Sequence, residues 1–223
     1  MSYDRTLSRV ETYFDKTATR TWERLTSDAP VSRIRETVRR GRDTMRARML
    51  AQLPDDLRGA RILDAGCGAG QMTAELAARG ADVLGVDISP SLVEIARKRL
   101  PIDLSGRVTF ASGDMLDAKL GRFDHVMAMD SLIYYGDADI RNALETLAGR
   151  TSGSVVFTVA PRTTLLMGMW YAGKLFPRSD RSPVMIPHSP ATLAHGLRGA
   201  GRIRDLGRIT SGFYISQALE FSK

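Results

Sequence analysis

The stretch LDAGCGAG, residues 63–70, decides the fold. Asp64 precedes three alternating glycines, Gly66, Gly68 and Gly70. Just upstream, ARILDA (60–65) is a short apolar run of strand character; just downstream, residues 71–79 read as a helix closed by Gly80. Glycines between a strand and a helix let the backbone turn tightly and approach a ligand closely.

The same alternation continues outward from this loop. ADVLGVD (81–87) is a strand, and Ser89-Pro90 caps a helix running to about Leu100. RVTFAS (107–112) and FDHVMAM (123–129) are strands, Asp137 to Leu147 a helix, and SVVFTVA (154–160) a strand ended by Pro161. Five near-continuous apolar strands separated by helices imply a parallel sheet covered on both faces. RIRDLGRIT (202–210) and GFYISQALEF (212–221), joined at Ser211-Gly212, can only be antiparallel to each other. Upstream, residues 34–53 read as an amphipathic helix with Ile34, Val38, Met45, Met49 and Leu53 on one stripe, ended by Pro54 and Asp55.

Composition narrows the function classes. The 223 residues suffice for one large domain, and 43% apolar content is ordinary for a globular protein. The single cysteine, Cys67, excludes an internal disulfide and a thiolate zinc cluster and fits a reducing compartment. The first residues are charged and lack the apolar core of a signal peptide, and no apolar run reaches the ~20 residues that span a bilayer. The net charge is +7, but the arginines thread the whole chain with little aromatic interleaving, so no nucleic acid is expected.

The loop discriminates between two cofactors. A dinucleotide site wants G-x-G-x-x-G, whereas the spacing here is G-x-G-x-G with Asp64 at its entrance, where a carboxylate would repel a pyrophosphate. S-adenosylmethionine carries a sulfonium and an ammonium and no phosphate, and both cations favour Asp64. Asp87, at the end of the second strand, can accept from both ribose hydroxyls; an acid before Ile88-Ser89-Pro90 also suits a helix entry. Asp114 can receive the adenine amino group, with Ile88 and Met115 on the ring faces; an ordinary turn acid is the plainer reading. Asp130 and Ser131 end the fourth strand and should edge the methyl-donor pocket. Cys67 reads as a small residue whose backbone matters.

These residues resemble the class I S-adenosylmethionine-dependent methyltransferases. That resemblance implies an α/β, Rossmann-like class I methyltransferase fold: a seven-stranded sheet of order 3-2-1-4-5-7-6, strand 7 antiparallel, helices on both faces and an N-terminal helical cap. The implied division is a cap at 1–54 and a methyltransferase domain at 55–223, with a substrate lid at about 161–190. A narrower resemblance covers essentially the whole chain. VETYFDKTATRTWERL, VRRGRDTM, AMDSLIYY and LFPRSDRSPVMIPHSP look like the magnesium protoporphyrin IX O-methyltransferases of bacteriochlorophyll synthesis. Plant and cyanobacterial relatives commonly read LIHYP where this chain has Leu132-Ile133-Tyr134-Tyr135-Gly136, and tend to carry a tyrosine near Thr26. A role at Tyr134 is therefore that of a phenol.

The implied reaction esterifies a propionate with the methyl of S-adenosylmethionine. A propionate is already an anion at neutral pH, so it needs holding and shielding rather than a strong base. Arg39, Arg40, Arg162 and Arg178 are candidate cations for it. Leu165, Leu166, Met167, Met169, Trp170, Tyr171, Leu175 and Phe176 form an apolar cluster suited to a flat π-surface. His188, in Ile-Pro-His-Ser-Pro, is the candidate partner for the porphyrin magnesium, and also fits as a residue shaping the turn before the next helix; His125 reads as packed core. No protein-bound metal is expected. By resemblance, Tyr13 and an Arg39-Arg40-Gly41 turn close the pocket and order on ligand binding. The apolar lid and positive charge suit a peripheral membrane surface, with cytoplasmic residence at the photosynthetic membrane. A magnesium chelatase subunit is a candidate partner. Two alternatives stay open: the same fold acting on another lipophilic molecule such as a quinone precursor, and a non-catalytic S-adenosylmethionine or RNA binder.

Overall fold

A computed structural model describes residues 3–15, 19, 23, 26, 30, 32–164, 166–168 and 183–223. Two helices come first, α1 (Tyr3–Tyr13) and α2 (Arg33–Leu50), followed by β1 (Arg61–Ala65), α3 (Gln71–Ala78), β2 (Asp82–Asp87) and α4 (Pro90–Arg99). The chain continues through β3 (Val108–Ser112), β4 (His125–Ala128), α5 (Asp137–Ala148) and β5 (Ser154–Pro161). It ends with a two-residue β6 (Pro187–His188), α6 (Pro190–Gly196), β7 (Arg202–Ser211) and β8 (Tyr214–Ser222).

One sheet runs in the order β3-β2-β1-β4-β5-β8-β7, with the short β6 pairing β5 off this path. Strands β1 to β5 are parallel, and β8 is antiparallel to both β5 and β7. Counting without β6, this is the 3-2-1-4-5-7-6 order expected from the resemblance. Every residue of β5 is buried, as a central strand covered on both faces requires. Pro161 does not stop β5 but is its last residue, because the parallel partner there is His188. The hairpin turn is Gly212-Phe213, one residue later than expected, with Gly212 at φ 58°.

Side chains on the two faces of the strands form two cores. On one, Leu63, Val126, Val155 and Phe157 pack with Ile140, Leu144 and Leu147 of α5 and Leu193 of α6. On the other, Ile62, Met127 and Val156 pack with Met72 and Leu76 of α3 and Met45 and Met49 of α2. Both α2 methionines are fully buried, and each such side chain stabilises the fold by about 1.5–3 kcal/mol. Residues 33–50 therefore share the core of the sheet domain rather than forming a cap apart from it.

The α2 stripe is shorter than its sequence pattern. Ile34 is 57% exposed, and the helix stops at Leu50. The contact begins farther along, where Gly41 meets the β7–β8 hairpin: a Cβ there would lie 2.6 Å from Tyr214 Cδ1. Arg39-Arg40-Gly41 is thus mid-helix, not a turn. Glycine lies at that position because the hairpin passes too close for a side chain.

Candidate active site

The loop after β1 is built by three left-handed glycines: Gly66, Gly68 and Gly70 have φ of 84°, 53° and 82°. Only glycine adopts such angles without strain. A Cβ on Gly66 would overlap Ser131 Cβ, and one on Gly70 would lie 3.0 Å from Ala96 Cβ. The amides of Gly66 and Cys67 donate to Val86 O at 2.7 and 3.0 Å. Asp87 grips the loop from β2: Oδ2 accepts from Gly68 N at 2.8 Å, and Oδ1 from Ser89 N at 2.9 Å. Each carboxylate oxygen has a second lone pair, so Asp87 retains acceptor capacity for a ligand.

Asp64 sits beneath the loop, 1% exposed, accepting from the Thr73 hydroxyl at 2.5 Å. Burial pushes its pKa up to about 7, with Thr73 opposing the shift and Asp87 adding to it. Burial also raises Asp87. The Cys67 thiol is pushed well up, first by burial and then by Asp64 and Asp87, which keeps it a thiol and agrees with a backbone role.

Around this loop lies a cavity of about 910 Å³. Asp64, Gly66, Cys67, Gly68, Asp87, Ile88, Met115, Asp130 and Ser131 all line it. Gly70 acts indirectly, as the left-handed residue that starts α3. Asp114 is not on the wall; its Oδ1 accepts from the Tyr3 hydroxyl at 2.7 Å and from Leu116 N at 2.8 Å. Tyr13 is also off the wall; the next residue, Phe14, is on it, and the two rings meet edge to face at 5.2 Å. Among the described residues the buried Ser131 hydroxyl has no hydrogen-bond partner. An orphaned polar group on a cavity wall is what a polar ligand would satisfy.

A second cavity, about 1480 Å³, adjoins the first. Its wall is mainly apolar: Val38, Ile133, Leu166, Val184, Met185, Phe213 and Ile215. Four residues belong to both cavities: Phe14, Arg42, Asp130 and Tyr134. Asp130 holds a left-handed conformation, φ 57°, and pairs with Arg42. It also accepts from the hydroxyls of Thr158 and Tyr214 at 3.2 Å and Ser216 at 3.4 Å. The Tyr134 phenol is raised well above its ordinary pKa by burial and then by Asp130, so it stays protonated.

Several expected residues lie elsewhere. Arg39 pairs with Glu36 at 3.4 Å, and Arg40 and Arg162 are exposed; none of the three lines either cavity. His188 is 2% exposed, off both walls, with Nδ1 2.5 Å from Asp137 Oδ1. That tie to the first turn of α5 gives it the turn-shaping place rather than one facing a porphyrin metal. Leu165, Met169, Trp170, Tyr171, Leu175, Phe176 and Arg178 lie outside the described residues; of the expected apolar lid, Leu166 lines the larger cavity. Among the described residues no group of three or more His, Cys, Asp or Glu side chains could hold a metal.

Sequence reasoning missed Arg42, Arg46, Phe14, Thr73, Thr158 and Tyr214. Arg42 and Arg46 had a signal: they follow Val38 at helical spacing, on the edge of the methionine stripe. The cavity around the loop is thus lined by two acids, Asp64 and Asp87, and by Arg46, whose guanidinium pairs with Glu75 and Asp43. These donors and acceptors fit S-adenosylmethionine.

Comparison with known proteins agrees. A general methyltransferase-domain family matches residues 62–151, and the family described as magnesium-protoporphyrin IX methyltransferase C-terminus matches residues 128–223. The magnesium-protoporphyrin O-methyltransferase of Rhodobacter capsulatus is 59% identical over 216 residues, 96% of this chain and 95% of that protein. The crystal structure of magnesium protoporphyrin IX methyltransferase from Synechocystis PCC 6803 with bound SAH superposes with a TM-score of 0.81 at 29% identity, covering 97% of this chain and 99% of that one. The same enzyme with bound SAM gives 0.78 at 26% identity, covering 98% and 97%. A glycine loop between two acids, opening onto an apolar cleft, together with identity of this extent, means that the chain belongs to the magnesium-protoporphyrin O-methyltransferase family.

Proposed function

We infer that this enzyme methylates a propionate of magnesium protoporphyrin IX, using S-adenosylmethionine, to give the monomethyl ester of bacteriochlorophyll synthesis. The observation that carries this reading is the wall shared by the two cavities. A hydrophilic cofactor chamber and an apolar cleft meet at Phe14, Arg42, Asp130 and Tyr134, so a carboxylate on a flat apolar body can reach the chamber without its body leaving the cleft.

Bound in that chamber, S-adenosylmethionine supplies a methyl on cationic sulfur, which passes to the carboxylate oxygen as the carbon–sulfur bond breaks and leaves its electron pair on sulfur, with no proton transferred. The protein's residues accordingly bind and orient. Asp64, Arg46 and Asp87 fix the cofactor; Gly68 brings the backbone close. No base is needed, because the substrate acid is ionised at neutral pH. Consistent with that, the described walls carry no histidine, and Tyr134 is a proton-holding phenol. Positioning and exclusion of water provide the acceleration.

Two finer readings accompany this. Phe213, 69% exposed, and Met185, 48% exposed, stand at the cleft's rim, which supports contact with a cytoplasmic-side photosynthetic membrane where a greasy porphyrin dissolves. Delivery from a magnesium chelatase subunit serves the same need; co-sedimentation with that subunit, and flotation with anionic vesicles, test the two. The reaction itself is tested by transfer of labelled methyl to magnesium protoporphyrin IX, metal-free protoporphyrin and a demethyl quinone precursor. Label in the porphyrin monomethyl ester is the expected result; label in the quinone alone overturns it.

A further inference from the structure

We propose that Arg42 is the residue that receives the carboxylate to be methylated, and that Asp130 holds its guanidinium at the junction of the two cavities. This rests on the porphyrin methyltransferase reading above. Helix α2 presents two arginines one turn apart, about 6 Å along its axis. Arg46 lines only the cofactor chamber, whereas Arg42 lines both cavities. Among the described residues of the shared wall, Arg42 is the cation.

Asp130 is built to hold this arginine. Its left-handed backbone is a strained choice for a non-glycine residue, and such strain persists where the surroundings over-determine it. Here they do: the Asp130 amide donates to Thr158 Oγ1 at 2.8 Å, and hydroxyls from β5 and β8 donate to its carboxylate. Those hydroxyls keep the carboxylate solvated by protein while Arg42 turns part of its fork to a second acid. The bond to Asp130 is made through Nη1, and a guanidinium carries five donors in a plane, so it can bridge two carboxylates. A cation already shared with Asp130 binds the substrate acid without quenching its nucleophilic oxygen. Arg39, one turn earlier, is engaged by Glu36.

The test compares magnesium protoporphyrin IX with its dimethyl ester, which keeps the ring and lacks the carboxylates. The 223-residue protein, saturated with S-adenosylhomocysteine, is titrated with each, followed by the porphyrin absorption band. The wild type is expected to prefer the acid. Arg42→Met is expected to weaken acid binding about tenfold or more, leave ester binding unchanged, and keep S-adenosylhomocysteine affinity within about twofold. If Arg42→Met fails to bind S-adenosylhomocysteine, Arg42→Lys carries the same comparison, with a partial loss of preference expected because Lys cannot bridge. Asp130→Asn is expected to lower kcat about tenfold, by more than it changes S-adenosylhomocysteine affinity. An undiminished acid preference in Arg42→Met or Arg42→Lys, or equal losses for acid and ester, overturns the assignment. Failure of the wild type to bind or methylate the porphyrin overturns instead the function on which it rests.

Discussion

Asp87 Oδ2 accepts a 2.8 Å hydrogen bond from the amide of Gly68, so the acid that ends β2 holds the glycine loop that follows β1. One side chain thereby sets the loop's shape and lines the cofactor chamber. Asp87→Ala is expected to weaken S-adenosylhomocysteine binding about 100-fold, through two lost charge-assisted acceptors. Asp87→Asn should lose nearly as much, because its amide nitrogen would face a backbone N–H. Calorimetric titration of both variants checks this; an affinity near wild type for either removes Asp87 from the cofactor site.

A pH dependence follows from Asp64. Its folded pKa of about 7 stands above its ordinary 3.8, mainly through burial. The fold therefore favours the neutral acid: this contribution to stability is full below about pH 4 and is lost as pH rises through about 7. Thermal melts should show the ligand-free wild type losing stability between about pH 4 and 7 relative to Asp64→Asn. The ligand's ammonium favours the carboxylate, so S-adenosylhomocysteine affinity should fall below pH 7, by up to about tenfold per unit. Thr73→Val, which removes a bond that stabilises the charged form, should move that midpoint upward.

The loop glycines give a steric prediction. Gly66→Ala adds a Cβ onto Ser131 Cβ at a left-handed φ of 84°. A loss of about 2–4 kcal/mol of stability is expected, combining backbone strain and overlap. Gly113→Ala, where no atom lies within 4 Å of the added Cβ, should cost less despite its φ of 145°. Chemical denaturation of the two variants compares them, and equal losses would mean that Ser131 does not constrain the loop.

The N-terminal arm is latched at two points around the cofactor chamber. Tyr3 donates to Asp114, and Asp15 accepts from the amide and hydroxyl of Ser91, at 3.2 and 2.5 Å, in the first turn of α4. Asp15→Ala is expected to speed S-adenosylhomocysteine release about tenfold, as one charge-assisted bond would. Stopped-flow dissociation measures it. Limited proteolysis of the first 30 residues should then show less protection by ligand in Asp15→Ala than in wild type.

Local chemistry made much of this protein legible in its sequence. The three glycines need left-handed backbone, the apolar runs need both faces covered, and a two-residue link forces the last strands antiparallel; each requirement acts within a few residues. These sufficed for the strands, their parallel or antiparallel sense, and the glycine loop with its flanking acids; the order of strands in the sheet follows from the resemblance to class I methyltransferases. Only the tertiary structure decided which arginine stands at the junction of the two cavities and what holds it. Helical spacing sets Arg42 and Arg46 apart from Arg39 and Arg40, but which of them reaches both cavities depends on how α2 is rotated against a hairpin some 170 residues later, with Gly41 seated on Tyr214. That rotation places Arg42 against Asp130, draws in Thr158, Tyr214 and Ser216, and leaves Arg39 to Glu36. Contacts between distant segments follow from packing the whole core, which no window of neighbouring residues contains.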